Sequence, residues 1–386
     1  MLQRASFQNF KVLKDVSVDL TPFTVLVGKN GSGKTSVLAG IHDVSRVPVT
    51  IRGEKAPAER LSRLFSRAHD PRRLVTQPGR GPMSITLTDT GNDTLSVEAR
   101  LEPDGNDGES VAFAVGVSGN KPPRITLPGD DHQAREFLGS RAAQRFGSAV
   151  FLRLDASVMV RESIPSSEDP RLEYDGEGLA SVLSYMAGAA PEALESIRSD
   201  LASIVPQVRG IRTYPARVRR RERERITIDG QVVHRSIDEM VMGHRFSLDM
   251  GSGHLVPADL LSEGTVLGLG LLTALRHPQC PRLVLMDDVD GALHSAAQAE
   301  LVRCLRKILE SRPEVQIVCT SHSPDLLDHV LLEEVRVMAL DKYGYARCGR
   351  LSDHPDSAQW RKMLRTGEFW ASVGEDWLVE GPAEGP

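Results

Sequence analysis

The chain has 386 residues, 40% of them hydrophobic and 26% charged, with a formal net charge of −5. This composition excludes a disordered or fibrous chain, and the slightly acidic balance leaves any nucleic-acid contact to a local basic patch. Four scattered cysteines, Cys280, Cys304, Cys319 and Cys348, form no CxxC pair; neither a zinc site nor a redox dithiol is indicated, and packing thiols in a reducing compartment are expected.

The opening MLQRASFQNFKVLKD is polar where a secretory leader would be apolar, and no apolar run is long enough for a bilayer. A cytoplasmic protein with no membrane partner is the expectation. Residues 2–27 read as strands: Val16 to Leu20 alternates with period two, and Phe23 to Val27 is a short apolar run suited to a buried strand. A Gly-rich loop follows, then a helical pattern from Lys34 to about Val44. Ala58 to Leu74 is Arg-rich, with Leu61, Leu64 and Phe65 at helical spacing. Segments 83–101 and 109–127 alternate around turn pairs such as Gly91-Asn92 and Asp104-Gly105, which predicts an antiparallel region. Ala149 to Leu154 reads as another buried strand, and Gly176 to Val205 as helix, with Leu179, Val182, Leu183 and Met186 on one face.

A charged stretch from Arg217 to Arg225 precedes an expected hairpin at Asp229-Gly230. The last third alternates: a helix after Ser262, a strand over Arg282–Met286, a helix over Ala296–Leu309 and a strand over Val315–Thr320. Strands alternating with helices predict an α/β fold with a largely parallel sheet.

Gly28-Lys29-Asn30-Gly31-Ser32-Gly33-Lys34-Thr35 is a full GxxxxGK[ST] match lying between an apolar strand and a helix, the setting a P-loop requires. Its glycines free backbone N–H groups to cradle phosphates at the helix N-terminus. The phosphate-binding set is Asn30, Gly31, Ser32, Gly33, Lys34, Thr35 and Ser36, with Lys34 on the β- and γ-phosphates and the Thr35 hydroxyl on Mg²⁺. Arg282 to Asp288 is an apolar strand ending in two carboxylates, placed where parallel sheets bind ligands. Asp287 is expected to hold the metal through water and Asp288 to orient the attacking water. Acids cap many strands, so this second motif gains its meaning from the first.

Three further motifs carry a family resemblance. Leu261-Ser262-Glu263-Gly264-Thr265 resembles an ABC signature, Val289 to His294 resembles the loop that follows its acidic strand, and Thr320-Ser321-His322-Ser323-Pro324 resembles the switch-histidine strand end. With Phe7 to Lys11 leading into the P-loop, the chain resembles the RecF/SMC/OLD-like group of ABC ATPases, in its short AAA-family branch. The resemblance implies a P-loop ATPase head with a mixed sheet, a β-rich subdomain and a helical insertion, using ATP and Mg²⁺. It divides the chain into residues 1–155 and 256–350 as the two parts of the head, 156–255 as a helical lid, and 351–386 as a tail. It further implies a head-to-tail homodimer or higher oligomer, in which Ser262, Glu263 and Gly264 reach ATP on the partner, while His322 polarises the attacking water.

This sequence departs from the group in two places. Asp288 stands where relatives carry Glu, and Val289 where they carry Pro, so binding is expected to outlast fast turnover. Gln77 is the candidate for the γ-phosphate-sensing glutamine. The Arg217–Arg225 run reads either as a grip on nucleic-acid phosphates or as a self-paired solvated arm, and the interleaved Glu222 and Glu224 favour the second. Arg60, Arg63, Arg67, Arg72 and Arg73 carry the same two readings. The tail, with Trp370 and Trp377, is expected to pack on its own core. With no Toprim-like or HNH-type pattern after the ATPase motifs, a separate nuclease-like effector in phage defence or DNA maintenance is the expectation. The alternative is a scaffold that uses ATP as structural glue.

Overall fold

Phe23–Val27 (β3) is buried at every residue, as its apolar run requires of a strand covered on both faces. The computed structural model describes residues 1–51, 81–104, 108–117, 124–127, 146, 149–228, 231–251, 253–361 and 363–379. Gln77 and the arginines between 60 and 73 lie outside them. Two units emerge: Met1–Phe151 with Pro281–Asp290 and Leu309–Pro386, and Leu152–Cys280 with Gly291–Ile308.

In the first unit, β1 (Leu2–Phe10) and β2 (Leu13–Asp19) precede β3, and helix α1 (Lys34–Ile51) follows the P-loop. The helix runs past the expected Val44 and through Pro48. Strands β4 (Met83–Asp89), β5 (Thr94–Asp104), β6 (Gly108–Val117) and β7 (Arg124–Leu127) join the first two in an antiparallel sheet of order β2-β1-β4-β5-β6-β7. The strict alternation of buried residues in β4 is the period-two pattern of a half-covered strand. The turn after it is fixed by Asp89, whose Oδ1 accepts from Gly91 N at 2.7 Å and Asp93 N at 3.0 Å.

The second sheet of this unit has the order β15-β14-β3-β13-β12-β8, from β8 (Ala149–Leu152), β12 (Leu283–Met286), β13 (Gln316–Thr320), β14 (Val335–Leu340) and β15 (Ala346–Arg350). Strands β12, β13, β3 and β14 run parallel and β15 is antiparallel, a mixed sheet. One buried cluster joins α1 (Val37, Leu38, Ile41) to Phe7 and Ile85 of the antiparallel sheet and to Leu285 and Val318 of the mixed one. At Gly40 an added Cβ would stand 2.6 Å from the Phe7 ring, so only glycine lets helix and sheet approach this closely. Beyond β15, helix α6 (Thr366–Val373) and a 3₁₀ turn at Asp376–Leu378 pack back on the unit. His354 meets the Phe369 and Trp377 rings edge-on at 5.4 and 5.2 Å, so the tail up to Val379 lies on its own core.

The second unit departs from the expected helical lid over 156–255. It is helical only to Ile204, through α2 (Leu179–Ala189) and α3 (Pro191–Ile204), which part at Ala190 because Pro191 starts a new helix. The remainder is a ribbon of two 19-residue strands, β9 (Gly210–Ile228) and β10 (Gln231–Asp249), extended by β11 (Leu255–Pro257). The charged run Arg217–Arg225 lies within β9. The unit also takes in α4 (Glu263–Arg276) and the part of α5 (Ser295–Ser311) up to Ile308, so its boundary differs from residue 255. Two contacts explain this: Arg276 donates to Asp200 of α3 at 2.6 and 2.9 Å, and Cys304 Sγ lies 3.8 Å from the Asp200 carbonyl. Burial pushes the thiols of Cys304 and Cys348 up to about 11 and about 12, as expected of packing cysteines. No described helix is long and apolar enough to cross a membrane.

Candidate nucleotide site

The C-terminal ends of β3, β12 and β13 meet at one edge of the mixed sheet, because parallel pairing puts Leu26 beside Thr320 and Met286 beside Cys319. The loop leaving β3 turns through three glycines with positive φ: Gly28 at 139°, Gly31 at 81° and Gly33 at 101°. A Cβ on Gly28 would stand 2.1 Å from the Met338 carbonyl oxygen, so no other residue fits there. Lys34 and Thr35 open α1. The Lys34 ammonium donates to the loop's own carbonyls, Gly28 O at 2.7 Å and Lys29 O at 3.1 Å. Burial draws its pKa below the ordinary lysine value, against the opposing pull of Asp288, Asp287, Glu375 and Asp290.

Thr35 Oγ1 donates to both oxygens of Asp287, at 2.9 and 3.1 Å. Residues 252 positions apart are thereby joined at the place where a P-loop NTPase holds its magnesium. Thr320 fastens the acidic strand end: its hydroxyl donates to Asp287 Oδ1 at 2.8 Å and accepts from Asp288 N at 2.8 Å. Asp288 is exposed, with φ 55°, and its Oδ1 lies 3.9 Å from His322 Nε2. The His322 backbone N–H donates to Asp290 at 3.3 Å. The P-loop, Asp287, Asp288 and His322 therefore share one sheet edge.

The residues suit a magnesium–nucleotide. Ser32 Oγ is buried with no hydrogen-bond partner, a state a phosphate oxygen would relieve. The glycine cradle admits an anion at backbone distance, and a hydroxyl beside a carboxylate is an oxygen donor set for Mg²⁺. Asn30 stands exposed on the loop, and Ser36 is half-buried in the first turn of α1.

Ser262, Glu263 and Gly264 belong to the second unit. Ser262 caps α4, its Oγ accepting from Thr265 N at 3.4 Å and paired with Thr265 Oγ1 at 2.7 Å. Ser262 and Glu263 are exposed at this helix N-terminus. Gly264 is buried, and a Cβ there would stand 2.6 Å from the Ala292 carbonyl oxygen, so its need for glycine arises within its own chain.

Two site neighbours have no role predicted from the sequence. Thr320 appeared there only as part of a family pattern, although a hydroxyl ending a buried strand beside an acidic one is a local signal. Glu375, buried in the tail, lies 3.7 Å from Lys29 of the P-loop, and Asp376 is equally near. No local pattern links positions so far apart.

The chain is similar to several known proteins. A family model described as "AAA domain, putative AbiEii toxin, Type IV TA system" matches residues 23–328. An OLD nuclease of Thermus scotoductus is 24% identical over 371 residues, covering 89% of this chain and 62% of that protein, so the chain spans under two thirds of this relative's length. An SMC head bound to the C-winged helix domain of ScpA aligns at TM-score 0.56 and 15% identity, over 92% of this chain and 98% of its own. An SMC head with an extended coiled coil, bound to the C-terminal domain of ScpA and derived from Pyrococcus furiosus, aligns at 0.53 and 13%, over 94% and 99%. At these identities the two structures show the fold alone.

Proposed function

The chain belongs to the AAA domain family described as a putative AbiEii toxin of type IV toxin–antitoxin systems, within the RecF/SMC/OLD-like ATPases, and from that premise we propose that it works as an ATP-driven dimerisation switch. It is a nucleotide-binding ATPase head. In the proposed cycle, two copies pack head to tail, each setting its P-loop against the Ser262, Glu263 and Gly264 end of its partner's α4. The observation that carries the reading is the Thr35–Asp287 pair, beside Lys34 and beneath Asp288 and His322.

ATP with Mg²⁺ supplies the transferable phosphoryl group and the charge that draws these side chains together. Lys34 leaves the loop carbonyls and turns to the phosphates, where its charge is better compensated. Thr35 and Asp287 would hold the metal side, and Thr320 keeps Asp287 aimed. Asp288 and His322 position and polarise the attacking water, a contribution that depends on geometry within fractions of an ångström. The activity under control is proposed to reside in a nuclease-like effector, in phage defence or DNA maintenance. The relative that is an OLD nuclease and the family's toxin–antitoxin description support that context.

Lys34→Ala is expected to remove most ATP affinity in a nucleotide titration, since it deletes the charge facing the β- and γ-phosphates. Unchanged affinity would overturn the site. A second reading, ATP as interface glue with negligible turnover, is favoured by the short, exposed carboxylate of Asp288 at 3.9 Å from His322. Steady-state hydrolysis separates the two.

A further inference from the structure

The β9–β10 register is one-to-one over all 19 residues, with Arg219 opposite Met240 and Arg217 opposite Met242. Residues two apart on a strand share a face, and directly paired residues share it too. The outer half of the ribbon is thereby sorted. Positions 217, 219, 221, 223 and 225, all arginine, fall on one face with His234, Asp238, Met240 and Met242. Glu222, Glu224 and Glu239 fall on the other, with Arg220 and Arg235. Along the sequence the charges are interleaved and look self-cancelling. In the ribbon, one face has five arginines against one aspartate, and the other has two arginines against three glutamates.

Among the described side chains, the arginine face is covered at its base. Phe246 and Leu248 are buried there, whereas Met242 and Met240 are 63% and 59% exposed farther out. Arg217 and Arg219 are exposed as well. The one acid on this face, Asp238, is held by Arg219, which donates from Nε at 2.6 Å and from a terminal nitrogen at 2.7 Å.

We propose that the outer β9–β10 ribbon is a nucleic-acid-binding arm that grips the phosphate backbone of a duplex through this arginine face. The inference stands apart from the ATP-switch reading, because it uses none of the nucleotide-site residues. Arginines two residues apart lie about 6.6 Å from one another, so five of them span about 26 Å. That length matches about eight base pairs at about 3.4 Å each. A two-stranded ribbon also has the width to enter a major groove. Residues 217–242 contain no Phe, Tyr or Trp, and without aromatic platforms a single strand gains little from stacking. A second copy of the same face would set arginine against arginine. Strand β9 is moreover an edge strand whose charges oppose pairing with another ribbon.

The test is fluorescence anisotropy of the full chain with a labelled duplex, titrated across salt concentrations. Arg217→Gln, Arg219→Gln and Arg221→Gln together are expected to weaken binding and to lower the slope of log affinity against log salt by about 2.7, at about 0.9 per phosphate contact. Arg220→Gln with Arg235→Gln, on the opposite face, is expected to change the slope by less than half as much. Asp238→Asn removes the single acid of the arginine face and is expected to tighten binding, a gain that misfolding cannot mimic. ATP affinity of each variant reports whether the fold is intact. No duplex binding by the unaltered chain at low salt, equal losses from both faces, or a single strand bound as tightly as the duplex would each overturn the proposal.

Discussion

With φ at 55°, Asp288 occupies the left-handed region, which disfavours most side chains but tolerates Asp and Asn, whose short polar groups bond locally. The same backbone path lets its N–H reach Thr320 Oγ1. This accounts in physical terms for a short acid where the family resemblance implies Glu: a longer side chain would gain reach and add backbone strain. Asp288→Asn keeps the backbone preference and removes the charge. We expect it to bind ATP about as tightly as the unaltered chain and to lose at least about tenfold in turnover, about 1.4 kcal/mol of barrier. Asp288→Glu is expected to lose about 1 kcal/mol of stability to the left-handed backbone. Nucleotide titration, steady-state hydrolysis and thermal melting, measured together, separate the two effects. Full activity in the Asn variant would remove Asp288 from the chemical step.

The 3₁₀ turn after α6 brings Glu375 and Asp376 to Lys29, setting carboxylates beside a loop built for anions. Glu375→Gln is therefore expected to tighten ATP binding by about threefold, the scale of an ion pair with one exposed partner, with the gain shrinking as salt rises. Affinity unchanged at low salt would mean that Lys29 does not reach the nucleotide. This tail contact was not legible in the sequence, because nothing local to Glu375 announces a partner some 340 residues earlier. The strand–loop–helix of the P-loop and the Leu283–Met286 strand with its acids were legible, since residue type, period and motif agree there. Strand β14 was missed because Arg336 breaks its apolar run. The structure buries that cation by letting it donate to three carbonyls, Asp19 O at 2.6 Å, Glu333 O at 2.7 Å and Val335 O at 3.1 Å. The ribbon was legible in part. The alternating Arg and Glu predict a self-paired arm, and the ribbon does pair Arg219 with Asp238 and Arg220 with Glu239 across its strands; the sorting of charge onto two faces follows only once the period of two is read as a strand's own.

At the scale of the whole molecule, the proposed switch demands that each nucleotide be completed by two chains, and this has a consequence that single variants cannot show. Lys34→Ala disables the P-loop of its own chain and leaves its α4 N-terminus intact. Ser262→Arg leaves the P-loop intact and places a bulky cation where α4 would face the partner's phosphates; Ser262 is exposed, and losing its cap on α4 costs the chain about 1 kcal/mol. In a head-to-tail pair of one such chain with the other, one site receives both defects and the other receives neither. Each variant alone should be nearly inactive. Mixed in equal amounts, half of the randomly formed pairs are mixed and each has one sound site of two, so hydrolysis should return to about a quarter of the unaltered rate. Should each chain instead complete its own site, mixing would restore nothing, because each chain's one defect would act within that chain. Light scattering with a slowly hydrolysed ATP analogue supplies the matching physical measure. The mixture should gain mass on nucleotide addition, while Lys34→Ala alone should not, since ligand binding draws the chain into the associated state only where the ligand binds.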